Sequence, residues 1–292
     1  MKKRTSFSTP GHRADIGDLT INRILPNRYA DAVGPFVFLD HIVPRHQPAV
    51  MDSGTGAHPH RGIATLSYII AGEDEHFDSA GNYARVYSGG IQWMKAGNGI
   101  IHDETLNVDS QAGTHHTHAF QFWINLPAKN KAEKPEYLAI QASEVPRKVL
   151  PDDGGWIKVI VGGYEDLHSA IPDYSTQFIY HIHLEARKGF TISIEENTEV
   201  AAFLPTKNAV VNGTEFEAGE FVEFDRDKGE ITMENKLDGA IDVIVFGGAP
   251  YNEPIVAEGP FVMNSRTEIA DAYRDFYAGK YGKINYQKTS LT

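Results

Sequence analysis

The 292-residue chain contains no cysteine. That absence excludes disulfides, thiolate metal sites and a cysteine nucleophile together, and it fits a reducing compartment. Positive charge is also scarce. Lys and Arg number 27 against 39 Asp and Glu, for a formal net charge of −12. A surface of that sign has no electrostatic pull toward phosphate backbones or anionic lipid, so direct nucleic-acid binding is not expected. No apolar run approaches the ~18–20 residues that span a bilayer as a helix. The opening Met1-Lys2-Lys3-Arg4 leads into polar residues and Pro10-Gly11 rather than the apolar stretch of an export signal. A soluble, cytoplasmic protein with no membrane contact is the expectation. Also missing are His-Glu-x-x-His, a phosphate-cradling glycine loop, a dinucleotide fingerprint and Gly-x-Ser-x-Gly, which sets aside metalloprotease, kinase, dehydrogenase and hydrolase classes.

What the chain has is a globular balance, 41% hydrophobic and 23% charged, in a length suited to one large domain or two ordinary ones. Short β-branched runs end at glycines: Ala64–Ala71 before Gly72, Trp156–Val161 before Gly162, Ile241–Phe246 before Gly247. Phe120–Leu126 alternates, with Phe120, Phe122, Ile124 and Leu126 on one face and Gln121, Trp123 and Asn125 on the other. Asn212-Gly213 between two strand-like runs is a strong hairpin signal. Many short strands with regular turns predict an all-β chain of sandwiches or barrels. Two such sets predict two β-domains, 1–135 and 136–292, divided within the polar Lys129–Asp153 stretch. Near the end, Ser265-Arg266-Thr267-Glu268 reads as a capping box. Ile269, Ala272, Tyr273, Phe276 and Tyr277 follow on one helical face, and Gly279 supplies the stop.

The chemistry lies in how the 13 histidines are grouped. His58-Pro59-His60 places two imidazoles at i and i+2, which on a strand leave the same face with Cα atoms about 6–7 Å apart. His102-Asp103-Glu104 repeats that spacing with an imidazole and a carboxylate. If the two strands are neighbours, three nitrogens and one carboxylate converge on a single ion and leave coordination positions open, the mark of a reactive site. Fe(II), Mn(II), Ni(II), Cu(II) and Zn(II) are all compatible with such ligands. On the same alternation Asp103 points to the opposite face.

Three segments carry a family likeness: Ala57-His58-Pro59-His60-Arg61-Gly62, Asp78-Ser79-Ala80-Gly81-Asn82, and Ile91-Gln92-Trp93-Met94 through Gly97-Asn98-Gly99-Ile100-Ile101-His102-Asp103-Glu104. With Gly34-Pro35-Phe36, Glu253-Pro254-Ile255 and Gly259-Pro260-Phe261-Val262-Met263-Asn264, the chain resembles the pirin family over most of its length. The resemblance implies a bicupin: two cupin barrels and a short C-terminal helix, with one divalent metal ion, usually iron, in the first barrel. It places the metal ligands at His58, His60, His102 and Glu104. It implies either a quercetin-type 2,3-dioxygenase, which opens a flavonol ring with O2 using Glu104 as base, or a non-enzymatic metal- or redox-responsive partner of regulatory proteins. Two positions depart from the family pattern: Ala64, where a glutamate is usual, and Asp103, where a serine is usual.

The remaining histidines carry less. His115, His116 and His118 stand at the entry of the Phe120 strand, and the family resemblance offers His118 as a pocket-lining residue. His181-Ile182-His183 copies the i, i+2 spacing but has no later partner pair, so it reads as a strand-face pair without metal. His12, His41, His46, His76 and His168 are isolated and receive no role.

Overall fold

A computed structural model describes residues 1–16, 19–48, 50 and 54–287. Among them the regular structure is mostly strand, with one α-helix, Arg266–Tyr277, near the C-terminus. No described helix is long and apolar enough to cross a membrane.

The chain forms two compact units, and neither is one continuous stretch. One comprises Met1–Arg13, Asn22–Val37 and Val145–Tyr251; the other comprises Ala14–Ile21, Phe38–Glu144 and Asn252–Thr292. This differs from a linear division at 135/136. The strand Glu136–Ile140 pairs with Ile91–Lys95 and so belongs with the residues before it. The first strand, Thr5–Pro10, pairs with Glu220–Phe224 and so belongs with the later barrel. Segments so far apart could not be assigned from local patterning, because their pairing is decided by which sheet edge is open.

In the later barrel, a seven-stranded sheet runs in the order Thr5–Pro10, Glu220–Phe224, Glu199–Phe203, Ile241–Gly248, Gln177–Leu184, Gly155–Val161, Arg147–Val149. It faces a four-stranded sheet of Gly189–Ile194, Gly229–Glu234, Ala209–Val211 and Thr214–Phe216. The expected Asn-Gly hairpin joins the last two, with Asn212 at φ 52° and Gly213 at φ 91°, the left-handed pair such a turn requires. Alternate residues such as Tyr180, Ile182, Val200, Val222, Ile231 and Val243 form a buried apolar cluster inside it.

The earlier barrel has the same two-sheet plan. Glu136–Ile140, Ile91–Lys95, Ile63–Ala71, His116–Asn125 and Phe36–His46 are neighbours in one sheet. His58–His60, Ile100–Asn107, Glu73–Asp78 and Tyr83–Tyr87 form the other. Its interior is only partly apolar, with Ile69, Val86, Leu106 and Ala119 at one level. Elsewhere its buried residues include Ser67, Asp74, His76, Gln92 and Glu104.

The segment after Asn252 closes this barrel. Phe261–Met263 packs with Ile269, Ala272 and Tyr281 in a small apolar cluster. Lys131, buried, donates to the Val262 carbonyl at 2.7 Å and to Asn125 Oδ1 at 2.7 Å. Arg61 pairs with Asp275 at 2.9 Å. The helix cap is a variant of the one expected. Ser265 Oγ accepts from the Glu268 amide at 3.2 Å, but the Glu268 carboxylate reaches back to the Asn264 amide at 2.9 Å, one residue earlier. Ile269 and Ala272 face inward as expected, whereas Tyr277 is 79% exposed.

The turn into Ile100–Asn107 depends on Gly99, at φ +124°, where a Cβ would lie 2.2 Å from the Tyr281 ring. Left-handed backbone strain and overpacking both oppose a side chain there. We predict that Gly99→Ala destabilises the protein by about 2–5 kcal/mol, read as a lowered denaturant midpoint. An unchanged midpoint would show that the tail does not brace this turn.

Candidate metal centre

The strand Ile100–Asn107 has two partners, one on each edge. His102 lies opposite His58 on one side, while Glu104 lies opposite His76 on the other. Alternation then sends His102, Glu104 and Leu106 into the barrel and Asp103 out, where it accepts from the Tyr286 hydroxyl at 2.9 Å. The outward orientation of Asp103 is the one expected.

His58, His60 and His102 come together, their ligand atoms all within 4.8 Å of one another. The His58 and His102 Nε2 atoms are 3.0 Å apart. Two nitrogens bound to one ion at about 2.0–2.1 Å lie about 3.0–3.4 Å apart, so this spacing suits a shared cation. Backbone carbonyls set the tautomers. His58 Nδ1 donates to the Gly56 carbonyl at 2.7 Å, and His60 Nδ1 donates to the Pro260 carbonyl at 3.1 Å. With the proton held on Nδ1, each neutral ring presents its Nε2 lone pair. Burial and the neighbouring His58 pull His60 down to about 3, and burial with its imidazole neighbours holds His102 well below the usual range. Both rings are thereby kept neutral and available as ligands. The residues fit a divalent ion.

Glu104 is placed differently from the expectation. It falls outside that triad at the same distance limit and forms a second one with His76 and His102. Its Oε1 lies 3.5 Å from His76 Nδ1 and 3.7 Å from His102 Nδ1. Its Oε2 accepts from Ser67 Oγ at 3.2 Å. The four expected ligands are therefore adjacent, but the carboxylate is turned toward His76.

His76 received no role from the sequence, yet it lies at the centre of the buried polar layer, fully out of solvent. Its ring stacks on Tyr137 at 4.2 Å and 15°. Its Nε2 meets Asp78 Oδ2 at 3.3 Å. Asp78 is held in turn by the Ala80 and Asn82 amides at 2.9 Å and by Asn82 Nδ2 at 2.7 Å. Burial opposes charge on His76, but the hydrogen bonds and charges of Asp78 and Glu104 outweigh it and raise its pKa to about 9. Burial and Glu104 push Asp74 in the opposite sense from an ordinary carboxylate partner, well upward. The alternation of Asp74, His76 and Asp78 along one strand face was the signal available in the sequence.

Trp123 is the other residue that local reading left without a role. It sits 5.0 Å from His60 and stacks on Phe38 at 4.2 Å and 13°, both rings half-buried. His118 does not join this face. Its Nε2 meets His41 Nε2 at 2.8 Å beside Phe120, on the opposite side of the strand from Trp123 and Gln121. The bulge between His118 and Ala119 leaves that parity intact.

In the later barrel, His181 and His183 share Asp242 Oδ1 at 3.0 and 2.7 Å, and His183 stacks on Trp156 at 5.0 Å. They leave the face opposite Tyr180 and Ile182, which point into the apolar interior. The i, i+2 spacing is the same as in the first barrel, but here it faces out of the barrel.

Residues 19–124 match the Pirin family model, and residues 179–282 match the model for the pirin C-terminal cupin domain. A Pseudomonas aeruginosa protein named "Putative quercetin 2,3-dioxygenase PA2418" is 33% identical over 258 residues, 87% of this chain and 89% of its own length. The chain belongs to the pirin family. This pirin is also similar to the crystal structure of quercetin 2,3-dioxygenase from Acinetobacter baumannii, at 30% identity and a TM-score of 0.89, covering 98% of this chain and all of the other. The bacterial pirin YhhW of Escherichia coli, solved in complex with nickel(II), shares the fold at 20% identity and a TM-score of 0.61, over 84% of this chain and 99% of its own. The expected all-β bicupin with one C-terminal helix is thereby established.

The ionisation pattern sets a pH dependence for the metal-free protein. His76, raised to about 9, adds stability that is complete below its unfolded value near 6.5 and disappears as the pH climbs through 9. His60, lowered to about 3, acts in the opposite sense: its contribution is present above 6.5 and is lost on acidification. Stability of the metal-free protein should therefore fall on both sides of about pH 6.5. His76→Gln should remove the alkaline limb, on the order of 3 kcal/mol between pH 6.5 and 9. Denaturant melts across that range check it, and an alkaline limb retained by the variant would contradict the assignment.

Proposed function

We propose that this pirin is a metal-dependent dioxygenase that opens the ring of a flavonol such as quercetin with O2. The reading rests on one observation: three lone-pair-bearing imidazoles beside a buried carboxylate, next to an aromatic platform of Trp123 and Phe38. It is supported by identity of 30% or more to proteins named for that activity. His58, His60, His102 and Glu104 would hold one divalent ion per chain, with iron the member of the Fe, Mn, Ni, Cu, Zn set that the family resemblance favours.

When bound, the ion supplies Lewis acidity and an open position for a substrate oxygen. The protein supplies the rest. Trp123 and Phe38 present flat apolar surface to which a flavonoid ring can stack. The Gly56 and Pro260 carbonyls keep His58 and His60 oriented. Glu104, the carboxylate inside the barrel nearest His102, takes the proton of the 3-hydroxyl. Removing that proton raises the electron density of the heterocycle, so that O2 adds and the ring breaks with loss of carbon monoxide.

The chain purified with metal is expected to carry one ion and to bleach quercetin in air. The His58→Ala, His102→Ala double variant should lose the ion while keeping its far-UV circular dichroism. Glu104→Gln should retain an ion but lose about 10²–10⁴-fold in bleaching rate. Side-by-side metal analysis and flavonol absorbance decide the matter. A fully loaded wild type that leaves quercetin untouched overturns the dioxygenase reading.

A further inference from the structure

A recess opens into the later barrel, the one without candidate metal ligands. The strand Gln177–Leu184 turns Phe178 and Tyr180 inward beside Ile182, and Gly189–Ile194 contributes Ile192 and Ile194 from the other sheet. These side chains, with Tyr164, Asp173 and Glu195, line a volume of about 600 Å³. Every lining residue lies between positions 162 and 198, so the recess belongs to this barrel alone. Its size suits a small organic molecule. One wall is aromatic. Phe178 and Tyr180 stack at 4.8 Å and 17°, and Tyr164 meets Tyr180 edge-on at 5.7 Å and 72°. The Tyr180 hydroxyl donates to the Gly163 carbonyl, so its donor is already used and the ring offers a ligand π surface.

The charge in the recess is of one sign. Asp173 and Glu195 line it, and no Lys, Arg or His does. Glu195 also pairs with Lys228 at 2.8 Å, but both side chains are largely exposed and such a pair is weak in water. Asp173 accepts from a neutral donor, Gln177 Nε2, at 3.4 Å, and has no salt bridge among the described residues. Burial raises its pKa against the opposing pull of Gln177 and of His168, which is outside the lining. An anion would be repelled here, and a small inorganic cation would have to trade its water for aromatic and aliphatic carbon. A quaternary ammonium group fits both halves of the lining. Its charge is spread over methyl groups that pack on Ile192 and Ile194, and aromatic faces attract it through their quadrupoles. We propose that the later barrel binds a quaternary ammonium compound in this recess, with its methyl groups against Tyr164, Phe178 and Tyr180 and its charge beside Asp173. The site is separate from the candidate metal centre and does not depend on the dioxygenase reading.

Calorimetric titration of the full-length protein with choline tests it, against 3,3-dimethylbutan-1-ol, which has the same shape with carbon in place of the charged nitrogen. Choline should bind with a Kd on the order of 1 mM, and the neutral alcohol at least about tenfold more weakly. Tyr164→Leu, which keeps apolar bulk but removes a ring, should weaken choline binding about tenfold. Asp173→Asn should weaken it about threefold and flatten its dependence on salt. Tyr164 is half-buried and Asp173 exposed, so both variants should fold, which circular dichroism checks. The His58→Ala, His102→Ala double variant should bind choline as the wild type does. A folded wild type that takes up no choline at about 50 mM overturns the proposal. Equal affinity for the neutral alcohol overturns the choice of a cation. Choline binding that survives in Tyr164→Leu and Asp173→Asn but disappears in the double variant overturns the location.

Discussion

Every candidate metal ligand in the first barrel depends on the register of one strand. Ile100–Asn107 is paired on both edges, to His58–His60 and to Glu73–Asp78. The first pairing brings His102 onto His58, and the second brings Glu104 onto His76. Because side chains alternate with a period of two, a slip of one residue would expel His102 and Glu104 and bury Asp103 and Thr105 instead. The glycines that flank this strand and its neighbour are part of the same constraint. Gly62, at φ +83°, lets the chain pass within 2.0 Å, measured from a would-be Cβ, of the Val262 carbonyl, and Gly99 passes under Tyr281 in the same way.

The two barrels show what one spacing does in two settings. Both contain a His-x-His pair on a strand. In the first, the pair points inward, where Ser67, Gln121 and Glu104 make a polar layer with internal hydrogen bonds. In the second, the pair points outward to Asp242 and Trp156, and the inner positions between them are Tyr180, Ile182 and Leu184. Burial of unpaired polar groups is costly, so an interior is either organised around a polar constellation or kept apolar throughout. Parity relative to the core therefore separates the two histidine pairs, and their spacing does not.

Local pattern carried much of this into view. The strands that bear the candidate ligands, the outward turn of Asp103, the Asn-Gly hairpin and the capped helix are all properties of a few adjacent residues, and each was legible from them. His76 was not, because it looks like a lone histidine among acids until Glu73–Asp78 is placed beside Ile100–Asn107. The same holds for Trp123, whose face could be read but not what that face meets. The assignment of the first strand to the later barrel, and of the last segment to the earlier one, depends on contacts between residues two hundred or more positions apart. Family resemblance supplied the ligand set but not the turned carboxylate, which is a matter of side-chain partners rather than motif.

The carbonyl that orients His60 belongs to Pro260, 200 residues further along the chain. Lys131 and Arg61 likewise find their partners in the closing segment, at Val262 and Asp275. A ribosome that has finished the whole first barrel has still not delivered the groups that brace its histidines. The nascent chain must carry an unbraced site until nearly all of the second barrel has emerged, and that barrel in turn uses a strand made at the very start. Neither half can mature in the order of synthesis. Bracing of the candidate site is consequently a late event in the life of the molecule, and a polypeptide cut short between Tyr251 and the final helix has every segment of its later barrel but lacks the segment that closes the earlier one.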